Sequence, residues 1–299
     1  MAAKDSTLTI EGRTLAVSNL GKVLYPEAGF TKGDVIQYYI DAGPAILPHL
    51  QDRPLTMKRY PEGVGKFFFY EKNCPPYRPR WMRTAKVKSE RRGEMRFCLV
   101  NELASLVWLA NLADLELHVS LARAPALGRP TAMVFDLDPG EGADILACAE
   151  VAFWLREALA ALKLEAFPKT SGSKGLQLYV PLNTATTFER TKAASLEIAR
   201  AVESRHPDRV VTNMRKELRR RKVLIDWSQN EEHKTTVCVY SLRATPVPQV
   251  STPLRWSELQ KFRKAGKTAA FRFGPKEILA RLRRHGDLFQ PVLELKQKL

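Results

Sequence analysis

From Thr131 to Asp226 the chain alternates in a way that leaves few folds open. Thr131–Leu137 reads as an apolar strand running into Asp-Pro-Gly, and Ala143–Leu162 has helical spacing through Leu146, Val151, Leu155 and Leu162. Two strands follow at Glu165–Thr170 and Gly175–Leu182, then a helix at Glu189–Arg205 and a strand at Lys222–Asp226. Strands outnumber what a simple strand–helix–strand repeat supplies. The expected class is therefore α+β, a mixed or antiparallel sheet with helices packed on it.

The flanking segments add shorter elements. Thr31 with Asp34 makes a capping box for a helix that should end near Pro44 or Pro48. Extended segments are expected at Leu55–Tyr60 and Lys66–Glu71, and Asn101 is placed to cap an apolar helix through Leu103, Leu106, Val107 and Ala110. A strand at Leu115–Val119 follows, and after the middle region come a strand at Thr235–Leu242 and two basic helices, Ser257–Lys264 and Lys276–His285. A turn-rich stretch around residues 120–130 marks a possible boundary, giving an N-terminal α/β subdomain (1–125) and a core (126–299) within one 299-residue domain.

Charge narrows the partners. The 48 Lys and Arg against 32 Asp and Glu leave +16, which implies a polyanion, either nucleic acid or an acidic membrane surface. The N-terminus has no apolar region like that of a signal peptide. The most apolar stretch, Leu103–Leu117, is broken by Asn111, Asp114 and Glu116, too soon for a membrane span. Cys74, Cys98, Cys148 and Cys238 form no Cys-x-x-Cys pair, so they are expected to be reduced thiols of a cytosolic protein, with neither zinc nor disulfides.

The sharpest chemical signal is Phe135-Asp136-Leu137-Asp138-Pro139-Gly140. Strand alternation puts Asp136 and Asp138 on one face, where two acids suit a hard divalent ion such as Mg²⁺ or Mn²⁺. The same pair could equally cap a turn and the following helix. Ile225-Asp226-Trp227 is a second strand ending in an acid, and three carboxylates from two strand ends could hold a pair of metals, provided the strands are neighbours. Thr170-Ser171-Gly172-Ser173-Lys174-Gly175 joins two strands and could cradle phosphate or be a plain hairpin turn; it lacks Walker A spacing. Arg243 at a strand end could clamp a phosphate or be a surface residue. Lys and Arg crowd Arg78–Arg92 and Arg215–Lys222, consistent with contact to a phosphate backbone or with a solvated face. Of Phe67-Phe68-Phe69-Tyr70, alternate rings should pack in the core and the others could stack on a base. His118, on an apolar strand, reads by pattern as a structural histidine.

Taken in order, four motifs resemble the polymerase domain of bacterial DNA ligase D, of the archaeo-eukaryotic primase superfamily. They are Phe135–Gly142, Thr170–Leu176, Ile225–Asn230 and Tyr240–Arg243, and the likeness extends from Lys22-Val23-Leu24-Tyr25-Pro26 to Gly286-Asp287-Leu288. The resemblance implies a catalytic core like an RNA-recognition-motif sheet, with an N-terminal subdomain that touches DNA. It implies a metal-dependent nucleotidyltransferase that extends DNA 3′ ends in non-homologous end joining, with two Mn²⁺ or Mg²⁺ ions and a preference for ribonucleotides. Asp136, Asp138 and Asp226 would be the metal ligands and catalytic carboxylates. Phe69, Tyr70, His118, Ser171, Ser173, Lys174, Gln177, Gln229 and Arg243 would hold the nucleoside triphosphate, and Lys22 and Lys32 would grip a 5′-phosphate across a gap or break. Expected partners are gapped or broken double-stranded DNA, nucleoside triphosphates, Ku and ligase and phosphoesterase modules, in the bacterial cytoplasm at the nucleoid.

One position departs from the pattern. The family usually has His where this chain has Gln177, and an amide donates a hydrogen bond but carries no charge. Two other readings stand beside this one. A haloacid-dehalogenase-like phosphohydrolase also starts from Asp-x-Asp but wants Thr or Val where Gly140 stands, and it leaves +16 unexplained. A non-catalytic nucleic-acid-binding module explains the charge and leaves three strand-end carboxylates idle.

Overall fold

The pattern between Thr131 and Asp226 closes into a five-stranded sheet in the computed structural model, which describes residues 6–89 and 93–299. Ala132–Pro139 is the central strand, antiparallel to Leu176–Pro181 on one side and to Val223–Asp226 on the other. Phe167–Thr170 extends the sheet antiparallel beyond Leu176–Pro181, and Val210–Val211 lies parallel to Val223–Asp226 at the far edge. Ala132 to Phe135 are buried in succession, as in a strand covered on both faces. From Asp136 one face opens: Asp136 is partly buried, Leu137 fully buried and Asp138 exposed.

The helices Ile145–Ala161 and Phe188–Arg205 pack on each other and on this central strand. Each starts at a cap: Asp144 Oδ1 accepts from the amides of Leu146 (2.9 Å) and Ala147 (3.2 Å), and Thr187 Oγ1 from that of Arg190 (3.3 Å). Asn230, fully buried, ties the end of the Asp226 segment to the central strand. Its Oδ1 accepts from the Val134 amide (2.8 Å) and its Nδ2 donates to the Val134 carbonyl (2.7 Å). These elements belong to a unit made of Ala126–Lys234, Ser251–Phe273 and Asp287–Leu299.

The other unit comprises Met1–Pro125, Thr235–Val250 and Gly274–Gly286. Because segments after residue 234 return to it, a single cut of the chain near residue 125 does not separate the two. Its six-stranded sheet centres on Leu55–Arg59 and Asp114–Val119, which run antiparallel with Thr56 opposite His118 and Lys58 opposite Glu116. Leu55, Met57, Leu115 and Leu117 are fully buried on one face, which leaves Lys58, Glu116 and His118 together on the other. The molecule is thus a mixed α+β protein with largely antiparallel sheets, as the strand count implied.

Four local expectations differ from the structure. The first long helix spans Lys32–Leu50 and carries both Pro44 and Pro48 inside it. Each interior proline costs about 3 kcal/mol, but Tyr39, Ile46 and Leu50 on its buried face are fully sequestered, at about 1.5–3 kcal/mol each. The capping box of Thr31 and Asp34 is formed as expected. Asn101 caps nothing: Glu102 is the cap residue of Leu103–Asn111, and the Asn101 amide exchanges two hydrogen bonds with Asp52, at 2.7 and 2.8 Å. The single strand expected over Thr235–Leu242 is two, Thr236–Val237 and Leu242–Arg243, because Tyr240 (φ 62°) turns the chain between them.

The fourth concerns cysteine. Cys74 and Cys98 form a disulfide, whereas Cys148 and Cys238 are buried free thiols. The Cys74 amide donates to the Arg96 carbonyl (2.6 Å), which brings its loop beside the strand Gly93–Cys98. Spacing along the chain carries no trace of that approach.

Candidate functional site

Register alone brings the three acids to one face. Asp136 pairs directly with Asp226 across antiparallel neighbours, so their side chains project the same way, and Asp138 two residues on joins them. The neighbourhood of the two strands, an assumption at the level of sequence, is a property of the sheet. Burial first, then the charge of Asp138, raises the Asp136 carboxyl to about 7; Asp226 adds to this, while a hydrogen bond from Gln177 and the charge of Lys169 oppose it.

A buried carboxyl that resists ionising beside two further acids marks a place short of positive charge, and an all-oxygen set of this kind fits Mg²⁺ or Mn²⁺. Among the described residues, no three acidic, His or Cys side chains already converge as a closed ligand shell. Asp226 shows why. Its Oδ1 accepts from the Ser228 amide (2.9 Å) and hydroxyl (2.6 Å), and its Oδ2 from Gln229 Nε2 (3.0 Å). Gln229 is therefore placed on a candidate metal ligand.

The segment Ser171–Gly175 is a tight turn built around Ser171. The Ser171 amide donates to the Gly175 carbonyl (2.9 Å), and the Ser171 hydroxyl oxygen accepts from the amides of Ser173 and Gly175, each at 3.2 Å. Those two amides hold the turn, while Ser173 and Lys174 are exposed. Gly175 is obligatory, since a Cβ there would stand 2.0 Å from the Leu137 carbonyl oxygen. At Gly140 a Cβ would stand 1.8 Å from the Arg219 carbonyl oxygen. The Thr or Val that a haloacid-dehalogenase site wants at this position has no room, which disfavours that reading.

Gln177, the departure from the family pattern, is 3% exposed and lies opposite Asp136 in the register. It is not an isolated amide. Lys169, fully buried on the next strand, donates from Nζ to Gln177 Oε1 at 2.6 Å.

The other unit gathers a cluster of opposite sign. Glu116, 2% exposed, accepts from Lys58 Nζ at 3.2 Å and from the Ala244 amide at 3.1 Å, lies 3.0 Å from His118 Nε2, and forms an ion pair with Arg243, whose Nε stands 3.2 Å from it. Burial alone would raise the Glu116 carboxyl, but His118, Arg243 and Lys58 overcome it and hold the group well below the usual carboxylate range. Burial lowers the His118 imidazole, with Glu116 opposing.

Tyr70 is exposed, edge-on to His118 (ring centroids 6.2 Å apart), and the Lys58 ammonium lies 5.5 Å from its centroid. Phe68 shares that side, stacked on Tyr60 at 5.2 Å. Phe69 stacks with Phe67 (5.9 Å) under the Arg59 guanidinium (5.2 Å). Alternation thus parts the expected pair, and the ring that accompanies Tyr70 is Phe68. The expectation that alternate rings pack in the core fails: Phe67, Phe68 and Tyr70 are exposed and Phe69 is only half-buried, because the strand here is only Phe69–Glu71.

Lys22 and Lys32 come together in this unit. The Lys32 amide donates to the Lys22 carbonyl (2.8 Å), and burial, then the charges of Lys22 and Arg59, lower the Lys32 ammonium to about 8. Lys22 pairs with Glu62 at 2.8 Å. The basic runs are less uniform than their sequence. In the first, Arg83 pairs with Asp52 (3.3 Å) and Lys86 with Glu94 (3.0 Å), while 90–92 lie outside the described residues. In the second, Lys222 Nζ donates to the Pro207 carbonyl at 2.6 Å.

Sequence reading passed over Glu116, Lys58 and Lys169. The signal for Glu116 was its spacing of two from His118 in an apolar strand, which alternation puts on one face. Lys169 gave none, since a lone strand lysine normally faces solvent.

A family model described as the LigD primase-polymerase domain matches residues 31–289. The multifunctional non-homologous end joining protein LigD of Mycolicibacterium smegmatis is 38% identical over 278 residues, covering 92% of this chain and 36% of that protein. The bifunctional LigD of Bacillus subtilis is 34% identical over 247 residues, 82% of this chain and 39% of its own. The chain thus spans about a third of the length of such relatives. Among solved structures, the polymerase domain of Mycobacterium tuberculosis ligase D, in complex with DNA, superposes with a TM-score of 0.87 at 37% identity. That match covers 95% of this chain and 99% of the other. By sequence over most of its length and by fold, this chain is a member of the LigD primase-polymerase domain family.

Proposed function

We propose that this chain is a divalent-metal-dependent nucleotidyltransferase. It extends DNA 3′ ends, filling gaps and processing broken ends in non-homologous end joining, and it prefers ribonucleotides. The observation that carries the reading is the register of Asp136 against Asp226, with Asp138 on the same face. The named role of the LigD relatives and the DNA bound by the structural neighbour support the choice of substrate.

In this reading Asp136, Asp138 and Asp226 hold the two metal ions. Such ions, when bound, favour ionisation of a primer 3′-hydroxyl and offset charge on the departing pyrophosphate. The protein's own groups do the rest by position and charge. Ser228 and Gln229 hold the Asp226 carboxylate in a fixed orientation. Ser171 shapes the turn that displays Ser173 and Lys174 to the triphosphate. The other unit, taken by itself, has Lys58, His118 and Arg243 held around Glu116, groups suited to a phosphate or a sugar hydroxyl, and Tyr70 with Phe68, exposed rings suited to stacking on a base. Lys22, Lys32 and Arg59 lie close enough for the first and last to depress the Lys32 ammonium, a group of cations suited to a DNA 5′-phosphate.

In this reading the protein works in the bacterial cytoplasm at the nucleoid, with Ku and with ligase and phosphoesterase modules. No helix among the described residues is long and apolar enough to cross a membrane. The test is primer extension on a gapped duplex with a downstream 5′-phosphate, using Mn²⁺ or Mg²⁺ and ribo- or deoxynucleotides. Extension by the parent with loss in the Asp136→Ala/Asp138→Ala variant supports the reading. Binding of the duplex without extension under either metal points instead to a non-catalytic binding module.

A further inference from the structure

Four side chains form a row across the five-stranded sheet. Lys169, Gln177, Asp136 and Asp226 are successive register partners on four adjacent strands. Lys169 is the unexpected member: it is fully buried, and its Nζ donates to Gln177 Oε1 (2.6 Å) and to Ser251 Oγ (2.7 Å). The Ser251 hydroxyl in turn donates a hydrogen bond to the Thr170 carbonyl (2.9 Å), so the ammonium sits in a built polar socket.

Donor and acceptor chemistry then fixes an orientation. An ammonium has only donors, so the Gln177 carboxamide must turn its oxygen toward Lys169. Its Nε2 is forced to the other side, where Gln177 makes its hydrogen bond to the Asp136 carboxyl. Without Lys169 nothing on the Lys169 side selects between the two amide rotamers, and the flipped one would aim an oxygen at a carboxylate. Burying an ammonium costs far more than burying an apolar side chain of similar size, and its hydrogen bonds to Gln177 and Ser251 offset part of that cost.

We infer that Lys169 is a positioning residue, acting through Gln177 to orient the Asp136 carboxylate for metal binding, with Lys169 and Gln177 working as one unit. This rests on the metal reading above. It also accounts for Gln177, because the amide that cannot carry charge is held by a neighbour that does.

The test is Mn²⁺ affinity of the full chain without nucleotide or DNA, read from the electron paramagnetic resonance signal of free Mn²⁺, for Lys169→Met, Gln177→Leu and the double variant. Orienting partners of metal ligands are worth about 10–100-fold. Each single variant should weaken Mn²⁺ binding about tenfold, and the double variant should be no weaker than either, since both remove the same constraint. Gln177→His should recover most of what Gln177→Leu loses, because a neutral imidazole accepts from Lys169 on one nitrogen and donates to Asp136 from the other.

The opposite sign is available. A cation that merely sits near a metal site repels the metal, so removing it would tighten binding. Unchanged or tighter Mn²⁺ binding in Lys169→Met, or additive losses in the double variant, overturns the inference while Asp136→Ala still abolishes binding. If Asp136→Ala binds Mn²⁺ like the parent, the metal reading falls as well. Circular dichroism and thermal midpoints report folding, and if Lys169→Met does not fold, the Gln177→Leu and Gln177→His pair decides the question.

Discussion

The acidic row of one unit and the Glu116 cluster of the other are near mirror images in charge. In the first, three carboxylates face a single buried cation, Lys169, and Asp136 is pushed up to about 7. In the second, one carboxylate faces three basic side chains, and Glu116 is held well below its usual range. Neither is neutral as folded. Under the proposed function a cation would complete the first and an anion the second, so each imbalance matches the charge of its proposed ligand. A folded protein tolerates such imbalance only where hydrogen bonds hold the groups in place, and both clusters are held from several sides.

The largest expected effect comes from breaking the acidic side. Asp136→Ala with Asp138→Ala should reduce primer extension by at least about 10³-fold, on the order of 4 kcal/mol of barrier. Residual extension within tenfold of the parent would remove the acids from the chemistry. On the basic side, Glu116→Gln leaves three basic groups without their shared anion. The cost expected of a broken buried pair is about 3 kcal/mol, seen as a thermal midpoint lower by roughly 6 °C or more at neutral pH. Because the folded pKa of Glu116 is depressed, its contribution is fully present above the unfolded value, about 4.3, and fades as pH falls below that. The gap between parent and variant should therefore narrow in acid; a gap independent of pH would argue that charge is not what Glu116 contributes.

Two titrations sharpen the contrast, with opposite slopes. Metal must displace the proton that Asp136 retains up to about pH 7, so Mn²⁺ affinity should fall about tenfold per pH unit below 7 and flatten above it. A flat response from pH 5.5 to 8 would contradict the raised carboxyl. Lys32 loses its charge above about 8, so preference for a 5′-phosphorylated over a 5′-hydroxyl gap should decline several-fold between pH 7 and 9. Lys32→Ala should abolish that decline while keeping whatever preference Lys22 and Arg59 supply. Persistence of the slope in Lys32→Ala would assign it to another group.

Local chemistry made much of this legible. The Asp136–Asp138 pair, the turn from Ser171 to Gly175, the acid at Asp226 and the capping box of Thr31 and Asp34 each rest on interactions within a few residues, so they can be read in order along the chain. The strand count was enough for the α+β class. What remained hidden depends on partners far apart in sequence. Asp136 meets Asp226 through sheet register, Lys169 finds Ser251 82 residues on, Glu116 meets Arg243, and Cys74 meets Cys98 through the packing of a loop. The prolines of the first helix stay helical because tertiary burial outweighs a local penalty. Composition and short-range pattern determined which reactive groups the chain carries and in which motifs. Only the tertiary structure decided which groups share a face, because register and burial are set by contacts between segments that no local window contains.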